Sequence, residues 1–288
     1  MKKFTLLATS LLLATSAIAA DINPLTLKVY NADPASFSVN STLVYGESEA
    51  VIVDAGFTKA DALRIAANVL DSGRKLTIIF VSQADPDYYF GVETLKQFFP
   101  DAKVLATPEV RRIIEKKMAM KLKVWAPKMG TNAPMKPVLP EEYALSSFSI
   151  EGHEVEIKGT EGVLAHRPYL WIPSQKTILG NVAVFGGLHA WTADTQTQPQ
   201  LDAWTAQLNE MLALDPEVVI PGHMEAGTSL DASTIKHTAE YLTTFATAKA
   251  NSKDSNELIN KMMTSYPSSK VPLALGIGAK VHMGEMKW

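Results

Sequence analysis

Residues 76–91 read LTIIFVSQADPDYYFG, a mainly apolar run that leads straight into a loop rich in carboxylates. The apolar part, residues 76–81, has the length and composition of a buried strand. In an extended loop alternate side chains project to the same side, so Gln83, Asp85 and Asp87 can converge on one point. The stretch therefore predicts a strand that leads into a cluster of polar side chains.

The same loop also fits ordinary turn chemistry. In Asp85-Pro86-Asp87 the carboxylates can accept hydrogen bonds from nearby backbone amides, and one of them can cap the helix that follows. From the residues alone, both a binding site and a structural turn stay open as interpretations.

Strands and helices alternate on either side of this stretch. Segments with alternating, β-branched or continuous apolar character are predicted strands, the first three of them antiparallel: 25–29, 37–45, 50–54, 76–81, 102–106, 169–172, 177–179 and 218–220, with a hairpin over 148–158. Segments with helical apolar spacing are predicted helices: 58–70, 92–99, 108–124, 201–214, 232–249 and 255–265. Prolines and glycines over 127–140 predict an irregular excursion. This order fits an α/β fold with two sheets packed inside helices, among other α/β layerings.

The first twenty residues have the features of a secretory signal peptide. A basic start, Met1-Lys2-Lys3, precedes an apolar run too short to span a bilayer, and Ala17-Ile18-Ala19-Ala20 resembles a cleavage site. We expect residues 1–20 to be removed and residues 21–288 to be periplasmic or secreted, without membrane insertion. The mature part is long enough for one large domain, which we assign to 21–288 with a helical C-terminal region.

Charge and cysteine content narrow the function classes. The formal net charge is −3, and it becomes −5 when Lys2 and Lys3 leave with the leader. This mild acidity argues against a nucleic-acid partner, since the one basic cluster, within 111–123, is most simply the solvated face of a helix. The chain has no cysteine, so no disulfide stabilises the fold and no thiolate binds a metal or attacks a substrate. A small molecule remains the expected partner.

The order of motifs along the chain resembles that of metallo-β-lactamase-fold hydrolases. These proteins have an Asp-x-Gly after a strand, a His-x-His-x-Asp-His-x-x-Gly loop after the next apolar strand, a middle Gly-His segment, a Gly-Asp turn and a late Pro-Gly-His. The corresponding segments here, within residues 25–245, are Asp54-Ala55-Gly56, Ser82 to Gly91, Gly159 to Pro173, Gly180-Asn181 and Pro221-Gly222-His223. The resemblance implies a four-layer αββα sandwich with a hydrolytic metal site.

The metal motif of the family is rewritten in this chain. With Gly91 as the anchor, the first two histidines become Gln83 and Asp85, the aspartate is Asp87 and the third histidine becomes Tyr88. The late histidine is kept as His223.

Two further ligand positions also depart from the family pattern. Asn181 stands at the position of the bridging aspartate, and Glu161, Gly162 or Val163 stands near the middle histidine, with His166 a little beyond. A dinuclear zinc site needs about three nitrogen or oxygen ligands for each ion, so the substitutions argue against one.

The remaining oxygen donors favour a single harder divalent cation, if any metal binds. The candidate ligands are Gln83, Asp85, Asp87, His223 and His166, with Glu161 as an alternative to His166. The candidate catalytic residues are Asp87, as a base, and Tyr88, whose phenol can donate to a developing oxyanion. For each residue the competing interpretation is structural: a turn, aromatic packing or a loop histidine bound to backbone.

Three other residues are candidates for binding a substrate. Arg167 is a possible anchor for an anionic group, and Asn181 follows a short strand in the Gly-Asn turn. His189 follows that turn closely, and with Trp191 and Asp194 it could line the pocket. Packing of the loop that carries His189 is the competing interpretation.

Two functions are compatible with these observations. The first is a secreted hydrolase with an altered, mononuclear metal site that acts on a small ester, lactone, thioester or amide. The second is a non-catalytic, metal-free periplasmic protein that binds a ligand or a partner on the same fold. The carboxylate pair and Pro221-Gly222-His223 favour the first, whereas the substituted ligand positions favour the second. The sequence assigns neither the substrate nor the oligomeric state.

Overall fold

The computed structural model describes residues 23–288, so the predicted signal peptide lies outside the described residues. The strands, in chain order, are β1 (Thr26–Asn31), β2 (Asn40–Tyr45), β3 (Glu49–Val53), β4 (Lys75–Phe80), β5 (Lys103–Ala106), β6 (Glu141–Glu142), β7 (Ser147–Ile150), β8 (His153–Lys158), β9 (Tyr169–Ile172), β10 (Thr177–Leu179), β11 (Phe185–Gly186), β12 (Val218–Val219) and β13 (His223–Met224). The helices are α1 (Lys59–Ser72), α2 (Pro86–Tyr89), α3 (Val92–Phe98), α4 (Pro108–Met129), α5 (Gln198–Ala213), α6 (Ser233–Ala250), α7 (Ser255–Ser265) and α8 (Pro272–His282).

Two mixed sheets form the middle of the molecule. The first has the order β1-β2-β3-β4-β5-β6, antiparallel from β1 to β3 and parallel from β3 to β6. The second has the order β12-β10-β9-β8-β7, and the short strands β11 and β13 pair separately. The predicted antiparallel start and the predicted hairpin around Glu151-Gly152 are confirmed.

Three apolar clusters fill the spaces between four layers. One joins the first sheet to α1, α3 and α4, a second lies between the two sheets, and a third joins the second sheet to α5, α6, α7 and α8. Phe80 of β4 and Phe148 of β7 stack across the middle layer, with ring centroids 5.6 Å apart. The predicted αββα sandwich is therefore confirmed.

The loop after β4 is tied to the end of β3. Asp54 has a left-handed backbone (φ 66°), and its two carboxyl oxygens accept hydrogen bonds from the backbone amide and the hydroxyl of Ser82, each at 2.8 Å. Gly91 passes so close to the carbonyl of Ala55 that an added Cβ would overlap it. The rewritten metal motif is therefore held against the carboxyl end of β3.

Two predicted boundaries were wrong. The long helix, expected to end near residue 124, continues as α4 to Met129 and contains Pro127, although a proline there lacks the amide hydrogen for the usual helical hydrogen bond. The strand expected from Phe37 begins only at Asn40, because Phe37 and Ser38 have left-handed backbones (φ 59° and 54°) that no strand accommodates. The turn at Phe37 directs its carbonyl toward His223.

Among residues 23–288, no helix has the length and apolar character needed to cross a bilayer.

Candidate functional site

A cleft of about 590 Å³ opens at the edge of the sheets where the rewritten motif lies. Its walls are mostly aromatic and aliphatic, and its polar residues come from the motif loop, from α4 and from later segments of the chain. The apolar lining includes Phe37, Phe57, Trp125, Phe185, Trp191 and Trp288. The polar lining includes Asp85, Asp87, Lys121, His189, Asp194 and His223.

His223 lies on the floor of the cleft, where it is held by three neighbours. Its Nδ1 lies 3.0 Å from the carbonyl oxygen of Phe37, its Nε2 lies 3.0 Å from the hydroxyl of Tyr88, and its ring stacks on Phe185 with centroids 5.4 Å apart. Because a carbonyl only accepts, Nδ1 carries the proton and Nε2 accepts from the Tyr88 hydroxyl. Burial lowers the pKa of His223 to about 4, so the imidazole is neutral at physiological pH.

Tyr88 is the residue that replaces the third histidine of the family motif. It is completely buried, and its hydroxyl lies between Nε2 of His223 and, at 3.3 Å, the backbone carbonyl of Asn181. Burial, reinforced by the charge of Asp87, raises the pKa of this phenol well above its ordinary value. The phenol therefore stays protonated and donates.

Asp87 faces His223 across the cleft floor. Its Oδ2 lies 3.6 Å from Nε2 of the imidazole, which is beyond hydrogen-bond distance. Burial, followed by the negative charge of Asp85, raises the pKa of the Asp87 carboxyl well above its ordinary value. This shift favours the protonated form, and a protonated carboxyl group can donate a hydrogen bond to a molecule in the cleft.

Asp85 is paired with a lysine of the basic cluster that was expected to be a solvated face. Nζ of Lys121, on α4, lies 3.1 Å from Oδ1 of Asp85, and the lysine side chain is only 16% exposed. Burial lowers the pKa of Lys121, but the charge and hydrogen bond of Asp85 outweigh this, and the net shift is upward. Lys117 and Lys121 lie one helical turn apart and both line the cleft, a spacing that was visible in the sequence.

Two other motif positions are engaged by the backbone. Nε2 of Gln83 donates to the carbonyl of Pro168 at 2.9 Å. The amide of Asn181 donates to the carbonyl of Ile220 at 3.0 Å and accepts from the amide of Val184 at 2.9 Å. Both side chains are buried, and neither lines the cleft.

The structure separates the remaining candidates. His166 follows a short 3-10 helix, Gly162–Leu164, and it lies outside the cleft lining. The guanidinium of Arg167 is buried, donates to Thr195 Oγ1 at 2.6 Å and to the carbonyl of Val182, and stacks on Trp204. His189 does line the cleft, with Nδ1 3.1 Å from the hydroxyl of Tyr241.

The residues at the family's ligand positions do not fit a metal ion. Nε2 of His223 is occupied by the Tyr88 hydroxyl, and Asp85 is paired with Lys121. Within residues 23–288, no group of three or more His, Asp or Glu side chains has a geometry that could hold an ion. Of the five candidate ligands, the structure brings Asp85, Asp87 and His223 to the cleft and leaves Gln83 and His166 outside it.

The sequence indicated Trp191 and Asp194, with His189, as residues that could line the pocket, but it gave no sign of Trp288, which joins them at the cleft. The carboxylate of Asp194 accepts a hydrogen bond from Nε1 of Trp191 at 2.6 Å on one oxygen and from Nε1 of Trp288 at 2.8 Å on the other. The two indole rings meet at an angle of 66°, with centroids 5.2 Å apart. Nearly a hundred residues separate Trp191 from Trp288, so no local pattern could predict the contact.

Comparison with known proteins agrees with this architecture. A family model described as the Metallo-beta-lactamase superfamily matches residues 36–223. No curated protein matches the chain. Among solved structures, a metallo-beta-lactamase family protein from Thermus thermophilus is 17% identical, with a TM-score of 0.57, and the alignment covers 91% of this chain and 93% of that one.

Two further solved structures are similar. A metallo-beta-lactamase from Pontibacter korlensis is 18% identical, with a TM-score of 0.53 and coverage of 76% of this chain and 93% of that one. The DIM-1 metallo-beta-lactamase is 17% identical, with a TM-score of 0.53 and coverage of 78% and 99%. At these identities the structures establish the fold alone, whereas the family model spans strands of both sheets and every motif from Asp54 to His223. The chain therefore belongs to the metallo-beta-lactamase superfamily.

Proposed function

We propose that this protein binds a small, largely apolar organic molecule in its cleft without the help of zinc. The observation that carries the proposal is the 3.0 Å contact between the Tyr88 hydroxyl and Nε2 of His223. That nitrogen is the atom that an imidazole would offer to a metal as its ligand, and here it accepts a hydrogen bond instead.

The character of the cleft supports the same function. Its volume, about 590 Å³, lies within the range of small-molecule sites, and its walls combine large apolar surfaces with a few polar groups. On the floor, burial favours the protonated form of Asp87, which can donate to one acceptor of the ligand. Because Asp85 is paired with Lys121 and His223 is neutral, none of these three side chains offers an unpaired charge to a ligand, which favours a neutral molecule with a carbonyl or ether oxygen at this end of the cleft.

Hydrolysis of a small ester, lactone, thioester or amide is the second candidate. It is favoured by membership of the superfamily and by the proximity of Asp87 Oδ2 to His223 Nε2, 3.6 Å apart at the cleft floor. An altered mononuclear metal site would require Tyr88 to release His223 and Lys121 to release Asp85. We therefore place binding first.

The test combines metal analysis with ligand titration. Protein purified without chelator should contain less than about a tenth of an equivalent of zinc, manganese or iron, and its melting temperature should not rise with any of these ions, because a ligand that binds the native state raises stability. A set of neutral apolar carbonyl compounds should raise the melting temperature equally with and without chelator. Stoichiometric metal that chelator removes, together with ester or lactone cleavage, would instead establish the hydrolase.

A variant provides the control for the metal assay. Tyr88→His removes the phenol that occupies His223 and adds a second imidazole beside Asp87. This variant should bind Co²⁺ with the visible absorption of a low-symmetry site, whereas the wild-type protein should not. If the wild type binds Co²⁺ as tightly as the variant, Tyr88 does not block the site and the metal-free proposal is wrong.

We also propose that the protein is exported from the cytoplasm. The predicted signal peptide supports a periplasmic or secreted location, where a small molecule rather than a nucleic acid would be the partner. Cell fractionation and the N-terminal sequence of the mature protein test this. A cytoplasmic protein that retains Met1 would contradict it.

A further inference from the structure

The pair of tryptophans at the cleft is fixed by one carboxylate. Each oxygen of Asp194 accepts from a different indole, Nε1 of Trp191 at 2.6 Å and Nε1 of Trp288 at 2.8 Å. Hydrogen bonds to an ionised acceptor are stronger than those between neutral groups. Both rings therefore have defined orientations, although the Trp288 residue is 52% exposed.

The segment that carries Trp288 is anchored independently of Asp194. The carboxylate of Glu285 accepts from the amide of Ser255 at 2.8 Å and from its hydroxyl at 2.6 Å. Nε2 of His282 lies 3.1 Å from the carbonyl of Thr192, next to Trp191. The first contact holds the segment after α8 against the start of α7, and the second holds the end of α8 against the loop that carries Trp191. The hydrogen bond to Asp194 then orients the ring of Trp288.

The hydrogen bonds of Trp191 and Trp288 limit the kinds of contact that their rings can make with a ligand. Because both indole N–H groups are engaged by Asp194, the two rings offer no hydrogen-bond donor to a ligand. Each Asp194 oxygen already accepts a hydrogen bond from an indole, so the carboxylate serves to orient the two rings. Both tryptophans line the cleft, and the carbon surface of an indole interacts well with a flat π-system.

We propose that Trp288, positioned with Trp191 by Asp194, is a ligand-contacting residue that makes the cleft select planar aromatic molecules over aliphatic ones of similar size. This inference rests on the proposed binding function and specifies its ligand class. A tryptophan fixed before binding loses little side-chain freedom when it contacts a ligand, which favours its use as a recognition element.

The experiment compares two probes that differ in planarity but share a carbonyl acceptor: 2-acetylnaphthalene and 2-acetyldecalin. Titration calorimetry of the full chain should give a dissociation constant about three- to tenfold lower for the aromatic probe, the range expected for one aromatic contact. Trp288→Ala should lower this ratio clearly toward one and change the affinity for the aliphatic probe little. Leu145→Ala, an exposed apolar residue outside the cleft, is the control and should leave the ratio unchanged.

The role of Asp194 is tested by a double-mutant cycle. Asp194→Ala should lower the ratio in the wild-type background and have a smaller effect in the Trp288→Ala background, because its influence passes in part through Trp288. Equal effects in both backgrounds would contradict the positioning role. Circular dichroism and urea unfolding of each variant separate this outcome from loss of the fold.

The outcomes distinguish the inference from the function on which it rests. If the wild type binds both probes equally, or if Trp288→Ala keeps the preference, the inference is wrong and the binding function stands. If the wild type binds neither probe nor any apolar carbonyl compound, the proposed function itself is contradicted.

Discussion

The hydroxyl of Tyr88 lies 3.0 Å from Nε2 of His223, at the position where the superfamily motif would have two histidines facing one metal site. The phenol donates a hydrogen bond to Nε2 of the imidazole, and the carbonyl of Phe37 accepts one from Nδ1. A buried histidine left without these partners would be costly. The hydrogen bond therefore stabilises the fold in the absence of a metal ion, which leads to the first prediction.

Tyr88→Phe should lower the free energy of unfolding by about 1–3 kcal/mol, because it leaves Nε2 of His223 buried without a donor. The neighbouring Tyr89 offers a matched control, since it is also completely buried but its hydroxyl has no hydrogen-bond partner among the described residues. Tyr89→Phe should change stability by less than about 0.5 kcal/mol or increase it slightly. Urea unfolding measures the free energy of unfolding of both variants. Equal decreases would show that the hydrogen bond from Tyr88 to His223 does not stabilise the fold.

Gly222→Ala should destabilise the protein by about 3 kcal/mol, because the packed floor cannot accept another carbon. An added Cβ would overlap the carbonyl oxygen of Asn181 and lie 2.7 Å from the Tyr88 hydroxyl. Gly276→Ala in α8 is the control, since a Cβ there meets no atom within 4 Å and alanine is the better helix former. Thermal unfolding should show a large drop for the first variant and no loss for the second.

Asp54→Asn should gain stability relative to the wild type as the pH rises. Burial raises the pKa of Asp54 to about 7 from 3.8. Below pH 3.8 the carboxyl is protonated in both the folded and unfolded states, and above it the unfolded state ionises first. The wild type therefore loses up to about 4 kcal/mol between about pH 4 and 7 and no more above that. Asparagine has no such titration, and it tolerates the left-handed backbone at this position.

Urea unfolding of the wild type and the Asp54→Asn variant at pH 4.5, 6 and 8 measures this difference. The other titrating groups are common to both proteins, so their contributions cancel. A difference in stability that does not vary with pH would show that Asp54 is ionised in the folded state.

Glu151→Gln should remove part of the stability of the folded protein at neutral pH but not at strongly acid pH. The hydroxyl of Ser48 and three backbone amides of the turn at residues 47–49 donate to this carboxylate, and they lower its pKa to about 2 from 4.5. The stabilisation is present above pH 4.5, where the unfolded state is also ionised, and it is lost as the pH falls toward 2.

The exposed Glu154 lies on the same hairpin, and Glu154→Gln is the matched variant. Acid unfolding followed by circular dichroism should show a shallower pH dependence for Glu151→Gln than for Glu154→Gln. The same profile in both variants would mean that the turn does not depend on the ionised carboxylate.

Much of the fold could be predicted because it depends on local patterns. The strands β9 and β10 and the helix α7 have the predicted boundaries, since apolar runs and helical spacing are properties of the chain itself. The two-residue strands β6, β11 and β13 escaped prediction, because segments that short have no periodicity. These segments are strands only because they pair with strands that are distant in the chain.

The sequence by itself determined the order of motifs, and with it the αββα sandwich and the place of residues 82–91 at the edge of a sheet. It also determined that Tyr88 and Asn181 replace two ligand positions of the family. Only the tertiary structure decided what these substitutions do, because hydrogen bonds between residues far apart in the chain leave no local signal. The contacts of Tyr88 with His223, of Lys121 with Asp85 and of Asp194 with Trp288 join residues separated by 135, 36 and 94 positions.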